Sequence, residues 1–233
     1  MVIHRPKTAM EATKLRHEIE NSAYLAGGTE DLRLGSSVSS DVELIDINAL
    51  SLNDIFIKDD RLYIGACATL EDVVTSDIIP SFIREAASFC TSYERRNAAT
   101  IGGNVATRRE DSYMTAALVA SECHVILECH KGEKEKSLVE YLEKKHCKGL
   151  LKYFIIDKSR QGWVKRIARS SSSHSTLIAS HSASVYALSV SGSHFEFGDT
   201  PDLYKNMEFK DDLTGSAEYK KYLASVIFSL EGK

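Results

Sequence analysis

The chain has 233 residues, 43% of them hydrophobic and 27% charged, an ordinary globular composition that needs no disulfide or metal staple to build a core. Its formal charge of −4, from 29 basic and 33 acidic residues, gives no basic excess for nucleic acid. No apolar run approaches the roughly 18 residues of a membrane span, and Met1–Lys14 lacks the apolar stretch of a signal peptide.

Taken in chain order, Thr8 to Glu20 carries helix formers with Ala9, Ala12, Leu15 and Ile19 on one face. Ser22 to Ala26 reads as a strand feeding the turn Gly27-Gly28. Val42–Ile47, Ile55–Lys58 and Leu62–Ala66 read as further strands, with Asp59-Asp60 turning between the last two. Thr69 looks like an N-cap completed by Asp72, and another helix should follow Pro80. The glycine-bearing segment Thr100–Asn104 interrupts this pattern, before a helix over Ser112–Ala120 and a strand over His124–Cys129. Beyond Gly149, strand-like runs (LLKYFIID, WVKRIAR, SVYALSV, HFEF) alternate with serine-rich connections such as Ser170–Ser173, and Ala217–Leu230 reads as an amphipathic helix. A boundary near residue 155 divides an α/β front part, 1–155, from a smaller α+β tail, 156–233.

Two glycine pairs carry the chemistry: Ala26-Gly27-Gly28-Thr29-Glu30 and Thr100-Ile101-Gly102-Gly103-Asn104. Glycine permits φ > 0 and bares neighbouring N–H groups, so each loop could form an anion nest for a pyrophosphate; taken singly, each pair reads first as a tight turn, since Gly-Gly is a common turn dipeptide. Neither G-x-G-x-x-G nor G-x-x-x-x-G-K-[ST] occurs. The five cysteines, odd in number and irregularly spaced, point to free thiols in a reducing, cytoplasmic compartment. Cys123-His124, Cys129-His130 and His146-Cys147 lack the close pairing of zinc or iron–sulfur sites, and no metal site is expected. In a strand, Cys123 and Cys129 would share one face, with His124 and His130 on the other.

The segments YLAGGTEDL (24–32), LIDI (44–47), LYIGACATLEDV (62–73) and RNAATIGGNVAT (96–107) occur in that order, followed by DLTGSAEYKKYLASVI (212–227). Together they resemble the FAD-binding medium subunit of the xanthine dehydrogenase and carbon monoxide dehydrogenase family of molybdenum hydroxylases. The resemblance implies an α+β fold: a two-subdomain, PCMH-type FAD-binding domain followed by a small α+β domain of the CO dehydrogenase flavoprotein type. It implies FAD as cofactor, held by Leu25, Ala26, Gly27, Gly28, Thr29, Glu30 and Leu32 and by Thr100, Ile101, Gly102, Gly103, Asn104 and Thr107. No catalytic residue is assigned, because the electron chemistry belongs to the flavin ring. The implied partners are a 2Fe-2S subunit and a molybdenum-cofactor subunit, with NAD or another compound as acceptor. Arg95-Arg96 and Arg108-Arg109 are candidates for the partner surface.

Departures from the family pattern cluster after the second glycine pair. Tyr113 falls where many relatives place a cofactor-bonding aspartate, with Asp111 or Glu110 as possible substitutes, or the run as a solvated helix start. Losing that bond would cost about 0.5–1.5 kcal/mol, too little to abolish binding alone. Arg166 and Arg169 answer a K-x-x-R of many relatives, and Trp163 is expected in a core or interface. A flavin-free assembly module retaining the fold is the alternative reading, motivated by Tyr113 and the short tail.

Overall fold

The computed structural model describes residues 2–30, 32, 41–144 and 148–231; His146-Cys147 lies outside them. Strand β1 (Ile3–His4) leads into helix α1 (Ala9–Glu18), whose first turn is capped by Thr8 through its Oγ1, which accepts from the Glu11 N–H at 3.1 Å. Strands β2 (Ser22–Leu25) and β3 (Glu43–Asp46) complete a three-stranded parallel sheet of order β1-β3-β2.

The hairpin β4 (Ile55–Lys58) and β5 (Arg61–Gly65) turns on Asp59 and Asp60, both left-handed with φ of 50° and 60°. That pair of positive φ angles suits the right-handed twist of the flanking strands, and Asp tolerates it better than most residues. Helix α2 (Leu70–Thr75) opens with the expected capping box: Thr69 Oγ1 accepts from the Asp72 N–H at 3.0 Å, and Asp72 Oδ2 accepts from the Thr69 N–H at 2.8 Å. Helix α3 (Ser81–Ser88) buries Phe82, Ile83, Ala86 and Ala87.

Two helices follow that periodicity did not foretell: α4 (Tyr93–Ala98) and α5 (Ile101–Ala106). Both are short, and each owes its start to a capping hydroxyl, Ser92 or Thr100. Helix α6 (Thr115–Ala120) begins later than expected and is buried along its whole length. Strands β6 (His124–Cys129) and β7 (Gly132–Ser137), helix α7 (Leu138–Glu143) and strand β8 (Leu150–Asp157) finish an antiparallel sheet of order β4-β5-β8-β6-β7.

The tail is a four-stranded antiparallel sheet of order β12-β11-β10-β9, built from β9 (Gly162–Ala168), β10 (Ser175–Ser182), β11 (Val185–Val190) and β12 (Glu196–Gly198). Helix α8 (Ala217–Glu231) closes it. Strand β10 is a correction, since its serines read as a connection. Ser180 and Ser182 are buried but satisfied, donating to the carbonyls of Trp163 (2.8 Å) and Gln161 (2.6 Å) on the β9 side. Leu177, Ala179, Leu188 and Val190 pack with Ala224, Ile227 and Phe228, and the half-buried Trp163 packs against that cluster. The opposite face, with Val164, Ile178 and Ala187, packs into the main core that contains α6.

Cys123, buried just before β6, and Cys129, half-buried at its end, pack in the same core, while His124 and His130 are exposed. The register shift against β8 between Ile126 and Leu127 skips Lys152 and leaves the β6–β7 register unbroken. Among the described residues no group of three His, Cys, Asp or Glu side chains could hold a metal ion. Nor, among them, is any helix long and apolar enough to cross a membrane.

Candidate functional site

The first glycine pair sits where β2 ends. Gly28 takes φ +66°, and Gly27 lies so close to the end of α4 that a Cβ there would meet the Ala98 carbonyl oxygen at 1.8 Å. The loop is pinned by Asn48, whose Nδ2 donates to the Ala26 carbonyl at 3.1 Å. Among the described residues the N–H groups of Gly28 and Thr29 have no protein acceptor. An unpaired N–H pair at a left-handed glycine is the nest geometry expected for this loop.

The second pair is built differently, and here the nest expectation is corrected. Gly102 and Gly103 are helical rather than left-handed, within α5. Every N–H at the start of that helix is taken: Ile101 donates to the Ala68 carbonyl, Gly102 to Ala66, Gly103 to Thr100 Oγ1 and Asn104 to the Thr100 carbonyl. Glycine is required at 102 because a Cβ would stand 2.5 Å from the Ala66 carbonyl oxygen. What the segment offers is the Asn104 side chain. Its Oδ1 accepts from the Met114 N–H at 3.1 Å and Ser112 Oγ at 2.9 Å, which fixes the amide orientation and leaves Nδ2 as a donor.

An ionic chain joins the two segments. Glu30 accepts from Arg95 (2.6 Å) and Arg109 (3.2 Å); Arg109 grips Asp111 with Nε and Nη2 at 2.8 and 3.0 Å; Asp111 meets His174 Nδ1 at 2.7 Å. Burial alone would raise the Asp111 carboxyl, but the Arg109 and His174 contacts outweigh it and hold the group below its ordinary range. Burial pushes the Tyr113 phenol and the Cys90 thiol up, with Arg95 pulling the other way on both. His174 is presented by the serine turn, which Arg166 holds: its Nε donates to Ser175 Oγ at 2.8 Å and its Nη atoms to the Ser171 and Ser173 carbonyls.

These groups surround a cleft of about 660 Å³, within the size range of small-molecule and cofactor sites. Of the expected residues, Ala26, Gly27, Gly28, Thr29, Glu30, Thr100, Gly102, Gly103, Asn104 and Thr107 line it. Leu25 and Ile101 are buried supports, and Leu32 is 53% exposed and does not line it. Asp111 and Tyr113 line the cleft; Glu110 does not, and its carbonyl accepts from Ser189. Arg95, Arg109, Cys90 and His174 also line it without any local sequence signal for that role, as do Arg16, Arg108 and Lys148. Arg96 and Arg108 are committed internally, Arg96 to Glu71 and the Cys90 carbonyl, Arg108 to the carbonyls of Tyr141 and Leu142.

The cleft suits a dinucleotide: an N–H nest without an acceptor among the described residues, an oriented amide and several guanidinium groups, beside small residues. Comparison with known proteins agrees. Residues 1–157 match the family described as the FAD binding domain in molybdopterin dehydrogenase. The protein YgfM of Escherichia coli is 26% identical over 241 aligned positions, covering 96% of this chain and 92% of its own. The nicotinate dehydrogenase FAD-subunit of Eubacterium barkeri is 30% identical over 145 positions, covering 59% of this chain and 49% of its own. Among solved structures, a carbon monoxide dehydrogenase chain from Hydrogenophaga pseudoflava superposes with a TM-score of 0.82 at 21% identity, over 99% of this chain and 95% of that one. The expected α+β fold is therefore the one found, in front part and tail alike. The chain belongs to the FAD-binding domain family of the molybdopterin dehydrogenases, and is an FAD-binding oxidoreductase subunit of that class.

Proposed function

We propose that the chain is the electron-transferring flavin subunit of a hetero-oligomeric molybdenum hydroxylase. In this reading a 2Fe-2S subunit delivers electrons that a molybdenum-cofactor subunit has drawn from substrate, and NAD or another acceptor receives them. FAD supplies the chemistry, since a flavin exchanges electrons singly or in pairs. The chain's own residues bind and orient: the Gly28 and Thr29 N–H groups and the Asn104 Nδ2 donate to the cofactor's polar parts, while Thr100, Gly102 and Gly103 form the wall beside them. Thr107 and Glu30 border the same seat, with Leu25 and Ile101 as its buried support.

The observation that carries this reading is that the Gly28 and Thr29 N–H groups, without an acceptor among the described residues, line one cleft with the oriented Asn104 amide. A division between FAD-binding domain and tail near residue 155 is supported by the end of β8 and of the family match at residue 157. Four cysteines of the described residues are free thiols, in keeping with a reducing, cytoplasmic setting.

The test is a visible absorption spectrum of the full chain after incubation with excess FAD and desalting. Retained oxidised-flavin bands support the reading, and bleaching them by adding a reduced 2Fe-2S partner supports the electron path. A colourless protein, both alone and when co-produced with its partners, sinks it and leaves the flavin-free assembly module.

A further inference from the structure

We propose that Arg95 and Arg109 form a cationic clamp for the pyrophosphate of FAD, an inference that rests on the cofactor reading above. A pyrophosphate presents several anionic oxygens and is held best by several charge-assisted N–H donors. In this chain the second glycine segment has spent its N–H groups inside the protein, on Ala68, Ala66 and both Thr100 oxygens. Gly28 and Thr29, with the Asn104 Nδ2, are a thin supply. The missing donors stand on the next residue, because both guanidinium groups converge on Glu30, which directly follows that N–H pair.

Donor capacity is also at hand. A guanidinium carries five N–H bonds. Among the described residues Arg95 uses one, toward Glu30, and Arg109 uses three, toward Glu30 and the two oxygens of Asp111. Arg109 is partly buried, 35% exposed, so its field is less screened than that of a free surface arginine, while Arg95 is 46% exposed. Glu30 and Asp111 would repel an anion by themselves. Paired as they are, they hold the two forks in place and reduce the repulsion between them, while His174 ties Asp111 to the tail. The clamp replaces with arginine side chains what a helix N-terminus cannot give here.

The experiment is FAD affinity measured by quenching of flavin fluorescence on the full chain. Arg95→Gln and Arg109→Gln are compared with Arg84→Gln, which removes the same charge from α3, where Arg84 pairs with Asp77 away from the cleft. Each clamp variant is expected to weaken FAD binding about tenfold or more, the worth of a hydrogen bond to a charged group. The dependence of affinity on salt should be shallower than in the unaltered chain, with Arg84→Gln unchanged in both respects. Adding Asp111→Asn to Arg109→Gln separates a lost contact from a bared carboxylate: the clamp predicts that binding stays weak. Unaltered affinity in both single variants, equal loss in Arg84→Gln, or full recovery in the double variant overturns the clamp. Failure of the unaltered chain to take up FAD overturns instead the cofactor reading beneath it. Arg95, the more exposed of the two, keeps the test open if Arg109→Gln folds poorly.

Discussion

Gly27→Ala should damage both the fold and the cofactor seat, by an amount the geometry sets. The added Cβ would lie 1.8 Å from the Ala98 carbonyl oxygen and 2.8 Å from its carbon, all backbone atoms that no rotamer change can move aside. Relief requires the β2 turn and the end of α4 to separate by roughly 1 Å, the kind of overpacking that costs about 1–3 kcal/mol. The same movement withdraws the Gly28 and Thr29 N–H groups from Asn104 and the guanidinium groups. Urea unfolding should show a lower midpoint at unchanged slope, and flavin titration a weaker FAD affinity. Gly132→Ala is the control: its φ of +98° makes any side chain strained, yet nothing lies within 4 Å and its turn joins β6 to β7 outside the cleft. It should lose stability and keep FAD affinity. A Gly27→Ala protein as stable and as tightly flavinated as the parent would refute the claim that this glycine exists for close approach.

Ser112→Ala removes a buried hydroxyl that donates to Asn104 Oδ1 and accepts from the Thr115 N–H, so it should cost about 1–3 kcal/mol in urea unfolding and weaken FAD binding as the Asn104 amide loosens. Lys220 is fully buried and donates to the Ser191 and Lys210 carbonyls as well as to Asp212, so Lys220→Met should cost about 3 kcal/mol, the low end for breaking such a pair because Asp212 retains some solvent contact. Asp212 adds a pH dependence: burial raises its carboxyl, but hydrogen bonds from Lys220, Thr214 and Ser191 outweigh this and hold it far below the usual range. Its stabilisation is thus complete above the unfolded value of about 4 and is lost as pH falls below it, and Asp212→Asn should flatten that part of an acid-denaturation curve. Burial pushes the Cys67 and Cys123 thiols up to about 11 and about 12, so a thiol reagent near neutral pH should modify them only after denaturant is added, as mass spectrometry of quenched samples would show.

What could be read ahead of the structure was what short segments decide. The Thr69–Asp72 capping box, the Asp59-Asp60 turn and the strands Ile55–Lys58, His124–Cys129 and Leu150–Asp157 all rest on neighbours in sequence. The glycine pairs were visible as positions but not as reasons. Gly102 answers to the Ala66 carbonyl and Gly27 to that of Ala98, contacts formed only when distant segments meet. The ionic chain was out of reach for the same cause: Glu30 finds Arg95 and Arg109, and Asp111 finds His174, across separations of 65, 79 and 63 residues. Strand β10 was missed because serine signals a turn when its hydroxyl bonds locally. Here Ser180 and Ser182 bond across the sheet and behave as small core residues.

The family match stops at residue 157, but the packing does not, and this makes a final test of how the tail serves the site. Helix α6 is buried on every side, with Ala116, Ala117, Leu118 and Ala120 all fully buried. Part of its cover is the tail sheet, through Val164, Ile178 and Ala187 in the same core. At the cleft the tail also contributes His174, which braces Asp111 and through it Arg109. A chain ending after Asp157 would expose one face of α6 and leave Asp111 with Arg109 alone. Its apolar helix could not be re-covered by a polar surface, so the prediction is a protein that binds hydrophobic dyes, unfolds without a sharp transition and has lost FAD affinity. His174→Ala in the intact chain isolates the second effect: the fold should melt as before, since this exposed contact is worth at most about 1 kcal/mol, while FAD binding weakens modestly. A truncated chain that unfolds cooperatively and binds FAD like the full one would mean that the tail is an independent module. The shared core would then be a docking surface rather than a requirement for folding.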